Sequence, residues 1–173
     1  LDRLVSDLLE LARLDAQHFT LVFSQIDLID IARKSADSLR LSASKMKVDL
    51  VVASPPDPLL IEGDPDRIGQ VISNLLENAI RYANTKIVLN VRSLDDGIEL
   101  SVTDDGPGIS TEDLPHVFER LYVSRHQPLE RESGSGLGLA IVKELVTAMG
   151  GEVQIFSTLG SGTTIKVIFP KIN

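Results

Sequence analysis

Residues 131–140 read RESGSGLGLA, a stretch that places glycines at three alternate positions, Gly134, Gly136 and Gly138. Glycine weakens helices and strands. Three glycines just before an apolar helical pattern therefore indicate a role other than stabilising secondary structure. Backbone N–H groups at a helix N-terminus attract anions, and glycines allow a phosphate chain to lie on the backbone. The stretch has no P-loop pattern, and no strand precedes it as in the Rossmann fingerprint. It therefore predicts either a flexible linker or a phosphate-binding loop that opens a helix over about 136–149.

The rest of the chain alternates between helical and strand patterns. Helices are predicted at 27–46, 64–82 and, more briefly, 111–118, and strands at 47–52, 59–63, 86–94, 97–104, 152–157 and 163–170. Asp64 and Pro65 suit the N-cap and the first position of the second helix. This order predicts an α/β fold, a two-layer sandwich in which a mixed, mostly antiparallel sheet packs on three helices.

Composition narrows the possible functions. The 173 residues are 43% hydrophobic and 24% charged, which suits one globular domain with an appended element. No apolar run reaches the 18 residues of a membrane span. The formal net charge of −8 argues against a general nucleic-acid surface, and the absence of cysteine excludes disulfides and thiolate metal sites.

The first fifteen residues, LDRLVSDLLELARLD, read as an amphipathic helix with heptad-like spacing of Leu1, Leu4, Leu8 and Leu11. A helix this short needs a partner. It either packs on its own domain or ends a helical hairpin, and the break in period after it favours the hairpin. Because the sequence starts at Leu1 rather than Met, we expect a piece of a longer protein. The expected division is 1–17 hairpin, 18–26 linker and 27–173 main domain.

Two further stretches carry polar groups suited to a nucleotide. On the second helix Asn74, Asn78 and Arg81 share one face, and a carboxamide oxygen is a hard ligand that suits Mg²⁺. In VTDDGPGI (102–109), Asp104 ends a strand before a glycine turn, and its carboxylate can accept from an exocyclic amine such as that of adenine. Taken singly, a solvated helix edge and an ordinary Asp-Gly turn explain these features equally well.

Together the motifs form an ordered set: NLLENAIRY (74–82), DDGPGI (104–109), FERLY (118–122), GSGLGL (134–139) and GSGTT (160–164). Over about 24–173 this set resembles the ATP-binding domain of bacterial sensor histidine kinases. That group shares its Bergerat-type fold with gyrase, heat-shock chaperone and MutL ATPases. The resemblance implies ATP and Mg²⁺ as ligands and phosphoryl transfer to histidine as the reaction.

The resemblance also assigns roles to residues. Asn78 would ligate Mg²⁺, Arg81 would reach the phosphates, Tyr82 would lie beside adenine and Asp104 would accept from its amino group. Phe118 would anchor a lid over 119–135, which contains Arg125 and Arg131 and has Val123 where an arginine is typical. The full ATP site would comprise Asn74, Asn78, Arg81, Tyr82, Asp104, Gly106, Gly108, Ile109, Phe118, Arg120, Gly134, Ser135, Gly136, Leu137, Gly138, Leu139 and Thr163.

Asn74 and Glu77 are the catalytic candidates. Hydrolytic relatives carry a glutamate base at the position of Asn74, and asparagine cannot take a proton, so the resemblance favours transfer over hydrolysis. Glu77 would hold a water on the metal or act as a base toward the acceptor, and a surface role is the alternative.

The acceptor histidine is expected outside this sequence. The family's acceptor lies in an H-E/D-x-R-type motif, and none of His18, His116 and His126 has that setting. Residues 1–17 would then end the dimerisation hairpin, and the fragment would bind ATP without autophosphorylating. The expected partners are a response regulator and a second copy through the hairpin, with no nucleic acid and no membrane contact by this fragment. The expected location is the cytoplasmic portion of a bacterial inner-membrane protein.

Other functions remain open. A serine kinase of the anti-sigma-factor type shares the fold, although the leading helix argues against it. A nucleotide-sensing interaction module without catalysis would keep the same binding residues. A hydrolytic ATPase is disfavoured by Asn74.

Overall fold

The computed structural model describes residues 5–9, 12, 20–122 and 135–172. Its three long helices are α1 (Leu28–Lys45), α2 (Pro65–Tyr82) and α3 (Gly138–Ala148). Its strands are β1 (Ser24–Asp27), β2 (Asp49–Ala53), β3 (Leu60–Gly63), β4 (Lys86–Ser93), β5 (Gly97–Asp104), β6 (Glu152–Ser157) and β7 (Thr163–Pro170). Within the described ranges, no helix has the length and apolar character needed to cross a membrane.

The main sheet has five strands in the order β2-β4-β5-β7-β6. Strands β2 and β4 run parallel, whereas the other three neighbouring pairs are antiparallel. The predicted α/β sandwich with a mixed, mostly antiparallel sheet is therefore confirmed. A separate two-stranded ribbon pairs β1 with β3, and β1 was not predicted because its four residues alternate too briefly to be recognised.

The core lies between the sheet and the helices. Helix α2 packs beside both α1 and α3, and all three contact the sheet. Its apolar face is buried by Ile68, Val71, Ile72, Leu75, Leu76, Ala79 and Ile80. Strands contribute the alternating partners Ile87, Leu89, Val91, Ile98, Leu100, Val102, Ile165, Val167 and Phe169. This arrangement leaves one edge of α2 for polar residues.

Central strand β5 is buried along most of both faces, although helices cover only one of them. On the other face Glu99 accepts from Arg92 Nε at 2.8 Å and Nη2 at 3.0 Å, and Lys166 Nζ lies 3.4 Å from its carboxylate. The hydrogen bond from Arg92 lowers the pKa of Glu99 despite its desolvation. The long stems of the two cations bury the strand without a second layer of structure.

Most predicted elements are confirmed within two residues, and one is wrong in length. The segment predicted as a helix over 111–118 contains only a single 3₁₀ turn, Leu114–His116. Its N-cap, Asp113, makes no capping hydrogen bond from its side chain. A turn of this kind is a common substitute where a helix lacks a start signal.

The N-terminal region is described only in part. Residues 5–9 and 12 are helical, as predicted. The remainder of the predicted hairpin and residues 18 and 19 of the predicted linker, His18 among them, lie outside the described residues. The division into hairpin, linker and main domain therefore stays a prediction.

Candidate functional site

Helix α2 presents its polar residues along one edge. Asp64 caps the helix by accepting from the backbone N–H groups of Asp66 at 3.1 Å and Arg67 at 3.2 Å, with Pro65 next. The cap and the buried apolar face together fix the rotation of the helix. The residues predicted to face the ligand are all half-buried: Asn74, Glu77, Asn78, Arg81 and Tyr82. Half-burial is the expected exposure for side chains that line a groove.

The carboxylate of Asp104 lies buried at the end of β5. Its Oδ1 accepts from the backbone N–H of Gly106 at 2.9 Å, and the backbone of Thr163, its register partner on β7, supplies another hydrogen bond. Burial raises the pKa of Asp104 because desolvation outweighs these two hydrogen bonds. A buried acceptor that keeps lone pairs to spare is suited to selecting a ligand amine.

Two glycine loops pack on each other beside Asp104. Gly108 has φ +73°, and a Cβ there would come 2.1 Å from the carbonyl oxygen of Thr158. Gly162 has φ +85°, and a Cβ there would lie 2.0 Å from the carbonyl oxygen of Asp104. Ile109, half-buried, donates its backbone N–H to Ser157 Oγ at 2.8 Å. The predicted first and last glycine motifs therefore form one end of the sheet together.

The second glycine stretch begins α3 directly opposite α2. Asn74 Nδ2 donates to the carbonyl oxygen of Gly138 at 3.4 Å. The edge of α2 that carries Asn74 and Asn78, here called the asparagine edge, therefore lies at the start of α3. Leu137, at the N-cap position, is fully buried and gives the helix no side-chain cap. Gly136 and Leu139 are half-buried around it, whereas Gly134 lies outside the described residues. Uncapped N–H groups at a helix start are the donors that an anion requires.

Ser135 has a partner from the N-terminal helical residues. Its Oγ donates to Asp7 Oδ2 at 2.8 Å and accepts from the backbone N–H of Leu137 at 3.3 Å. A carboxylate thus lies next to the loop that the sequence predicts as a phosphate cradle.

The FERLY segment lies against α3. Phe118 is half-buried with Lys143 Nζ 6.0 Å from its ring centroid, and the exposed Arg120 places Nη2 4.0 Å from Glu144 Oε1. Leu121 donates its backbone N–H to the carbonyl oxygen of Gly136 at 2.9 Å. The segment therefore borders the second glycine stretch. The predicted lid residues Val123, Arg125 and Arg131, together with His126, lie outside the described residues.

Sequence reasoning missed Asp105. Its carboxylate accepts from the backbone N–H groups of Asn84, Thr85 and Lys86 at 2.8–3.1 Å and from Thr85 Oγ1 at 2.5 Å. Desolvation opposes ionisation, yet these hydrogen bonds from Thr85, Lys86 and Asn84 hold the pKa of Asp105 far below its usual range. The only signal in the sequence was the second aspartate of DDGPG, which alone does not reveal partners twenty residues away.

No three His, Cys, Asp or Glu side chains converge on a possible metal position in the part of the chain that the structure describes. A carboxamide oxygen is among the ligands that Mg²⁺ accepts, since this ion keeps several waters and binds phosphate oxygens as well. The chemistry of Asn78 therefore fits a magnesium ion that arrives with a nucleotide.

Comparison with known sequences relates this chain to sensor histidine kinases. Residues 63–173 match the family described as histidine kinase-, DNA gyrase B- and HSP90-like ATPase. The sensor histidine kinase WalK of Bacillus subtilis is 32% identical over 97% of this chain and 28% of its own length. CpxA of Escherichia coli is 32% identical over 98% of this chain and 37% of its own length. The chain thus spans about a third of the curated relatives it matches.

Comparison with solved structures supports the fold. The mycobacterial sensor histidine kinase MprB superimposes with a TM-score of 0.73 at 29% identity, covering 87% of this chain and 98% of that one. Full-length ShkA in complex with AMPPNP gives a TM-score of 0.84 at 28% identity, over 98% of this chain and 36% of that one.

Proposed function

The chain belongs to the histidine kinase-, DNA gyrase B- and HSP90-like ATPase family, and on that premise we propose that it binds Mg·ATP as the catalytic domain of a sensor histidine kinase. It would transfer the γ-phosphoryl group to a histidine of the full-length protein. A response-regulator aspartate would then take that group in two-component signalling.

One observation supports this proposal above the others. Helix α2 contacts the uncapped start of α3 through Asn74, and just past its C-terminal end Asn84 donates its backbone N–H to Asp105, the residue after Asp104. The helix therefore lies next to the backbone N–H groups that begin α3 at one point and close to a buried carboxylate acceptor near its C-terminal end. This polarity matches a nucleotide, which has a polyanionic end and an amine-bearing base.

The residue roles follow from that polarity. Asp104 would accept from the adenine amino group, with Thr163, Gly106 and Gly108 shaping the pocket around it. The amides of Gly136 and Gly138 would cradle the phosphates, and that of Leu137 would join them by leaving Ser135 Oγ. Asn78 would provide one magnesium ligand, and the bound metal would neutralise charge on the phosphate oxygens.

Asn74 explains why we propose transfer rather than hydrolysis. Its carboxamide donates to Gly138 and has no proton-accepting capacity, so it does not activate a water for attack. Phosphoryl transfer requires mainly positioning and charge neutralisation, which this site supplies without a base. Glu77, one residue before Asn78, would hold a metal-bound water or orient the acceptor.

We propose that the acceptor histidine lies in another part of the full-length protein. We propose that residues 1–17 end a dimerisation hairpin that carries the acceptor histidine. The protein would be a homodimer, and this part of it would lie in the cytoplasm beneath a bacterial inner membrane. His116 does not suit the acceptor role because its ring contacts Glu119 and Tyr122 instead of the groove.

The decisive measurement is calorimetric titration of Mg·ATP into three variants and the parent. We expect Asn78→Ala to abolish magnesium-dependent binding, and Asp104→Ala to reduce the preference for ATP over GTP. Asn90→Ala, on the sheet face away from the helices, is the matched control and should bind as the parent does. The site assignment is wrong if Asn78→Ala and Asp104→Ala both keep parental affinity.

A second assay tests the reaction. When a separate hairpin carrying an H-E-x-R histidine is added with Mg·ATP, we expect phosphate on that histidine, detected as acid-labile and base-stable label. Binding without transfer would instead favour a nucleotide-sensing module.

A further inference from the structure

Asp105 makes more contacts than any role in a simple turn requires. Besides the four donors to its carboxylate, its carbonyl oxygen accepts from Asn84 Nδ2 at 2.6 Å, and its N–H donates to the carbonyl oxygen of Lys86 at 3.3 Å. A carboxylate that faces consecutive backbone N–H groups forms charge-assisted hydrogen bonds, which are shorter and stronger than neutral ones. Asp105 therefore fastens residues 84–86 to the glycine loop.

The fastened segment is the continuation of α2. The helix ends at Tyr82, Asn84 and Thr85 follow it, and Lys86 is the first residue of β4. On the opposite side, a Cβ at Gly106 would lie 2.5 Å from the carbonyl oxygen of Tyr82, so loop and helix end are already in contact. Thr85 also accepts from the backbone N–H of Asp49 at 2.8 Å, which extends the tie to β2.

The hydrogen bonds of Asp105 join two segments that carry different parts of the proposed site, strand β5 and the end of helix α2. Asp104 belongs to β5, where its pairing with β7 holds it independently of Asp105. Asn78 and Arg81, which would serve the phosphate side, occupy the last turns of α2 and are half-buried. The hydrogen bonds of Asp105 connect the end of that helix to the strand.

We propose that Asp105 is a positioning residue that sets the separation between the adenine acceptor on β5 and the phosphate-side groups on α2. This inference rests on the proposed function, because it concerns how one nucleotide reaches both halves. Two linked subsites bind a joined ligand well only if their spacing matches it, whereas each half-ligand is insensitive to that spacing.

The test compares ATP with adenosine. Asp105→Asn keeps the shape but removes the charge and turns one acceptor into a donor that faces N–H groups. We expect it to weaken Mg·ATP binding about tenfold while changing adenosine binding by less than about twofold. Asp96→Asn, which removes the same charge from the exposed turn at the other end of β5, is the matched control and should leave both affinities unchanged.

The possible results separate the claims. Equal losses for ATP and adenosine would mean that Asp105 only supports the fold, and no loss for either would also overturn the inference while leaving the proposed function intact. Failure of the parent to bind ATP would overturn the proposed function itself. Should Asp105→Asn not fold, Thr85→Val removes one donor more gently, and a loss of ATP affinity of about threefold with unchanged adenosine affinity is then expected. Unchanged affinities in Thr85→Val would overturn the inference in that case.

Discussion

Asp104 has main-chain neighbours from three segments. Gly106 donates to its carboxylate, Thr163 pairs with it across the sheet, and Gly162 approaches its carbonyl oxygen so closely that a side chain would not fit. The position of the carboxylate is thus determined by backbone contacts, which hold it more firmly than contacts from mobile side chains would. Substitutions among the neighbouring glycines should therefore act on Asp104 without touching it.

Gly162→Ala provides this test, and Gly160→Ala is its matched control. Both glycines have positive φ, +85° and +78°, but a Cβ at Gly160 meets nothing within 4 Å. The control should lose about 1 kcal/mol of unfolding free energy from backbone strain alone. Gly162→Ala should lose about 2 kcal/mol or more and also weaken ATP binding, because Asp104 must shift. Urea denaturation measures the first quantity and calorimetry the second; equal losses in the two variants would contradict this account.

At the scale of the element, α2 is the part on which the site depends. It carries the asparagine edge, buries seven apolar residues and begins at a carboxylate with three backbone donors. Two of those donors belong to its own first turn, and the third is the backbone N–H of Val22 at 2.9 Å from Asp64 Oδ2. One side chain therefore starts the helix and fixes the chain that leads to β1.

Asp64→Ala should reduce the free energy of unfolding by about 1–2 kcal/mol, since both the cap and the contact with Val22 are lost. Asp66→Ala is the control, because Asp66 is exposed in the same first turn and contributes only through the helix dipole. Its substitution should lower the unfolding free energy by less than about 1 kcal/mol. Urea denaturation midpoints, compared at constant m-value, measure both changes in unfolding free energy. If Asp66→Ala lowered this free energy as much as Asp64→Ala, the capping argument would be refuted.

At the scale of the whole molecule, the N-terminal helical residues meet the predicted phosphate cradle. Asp7 accepts from Ser135, so a negative charge lies where the proposed function requires a polyanion to bind. The two like charges repel each other, and the helix must either move or weaken nucleotide binding.

Asp7→Asn keeps the acceptor oxygen and removes the charge, so it should raise the affinity for Mg·ATP about threefold to fivefold at low salt. The gain should shrink at high ionic strength, because exposed charges are screened. Asp57→Asn, in the exposed loop before β3, removes an equal charge and should change nothing. Titration at two salt concentrations checks this, and a gain shared by both variants would indicate a general charge effect.

Local patterns in the sequence predicted most of the architecture, since apolar periodicity and the Asp64-Pro65 start signal depend on neighbours along the chain. The motifs likewise led to the proposed site residues, whose assignment to a nucleotide stays a prediction. The parallel pairing of β2 with β4, the short β1 and the contacts of Asp105 were not foreseen, because each depends on partners brought together only by folding. The hydrogen bond between Ser135 and Asp7, which are 128 residues apart, was not predicted for the same reason.

The bond between Val22 and Asp64 has a mechanical consequence. Through this hydrogen bond, a force on residues 20–23 acts directly on the first turn of α2. Asn74 lies ten residues after Asp64, about 15 Å further along the helix axis. Because one helix joins the two points, we expect a displacement of residues 20–23 to shift the two asparagines as well.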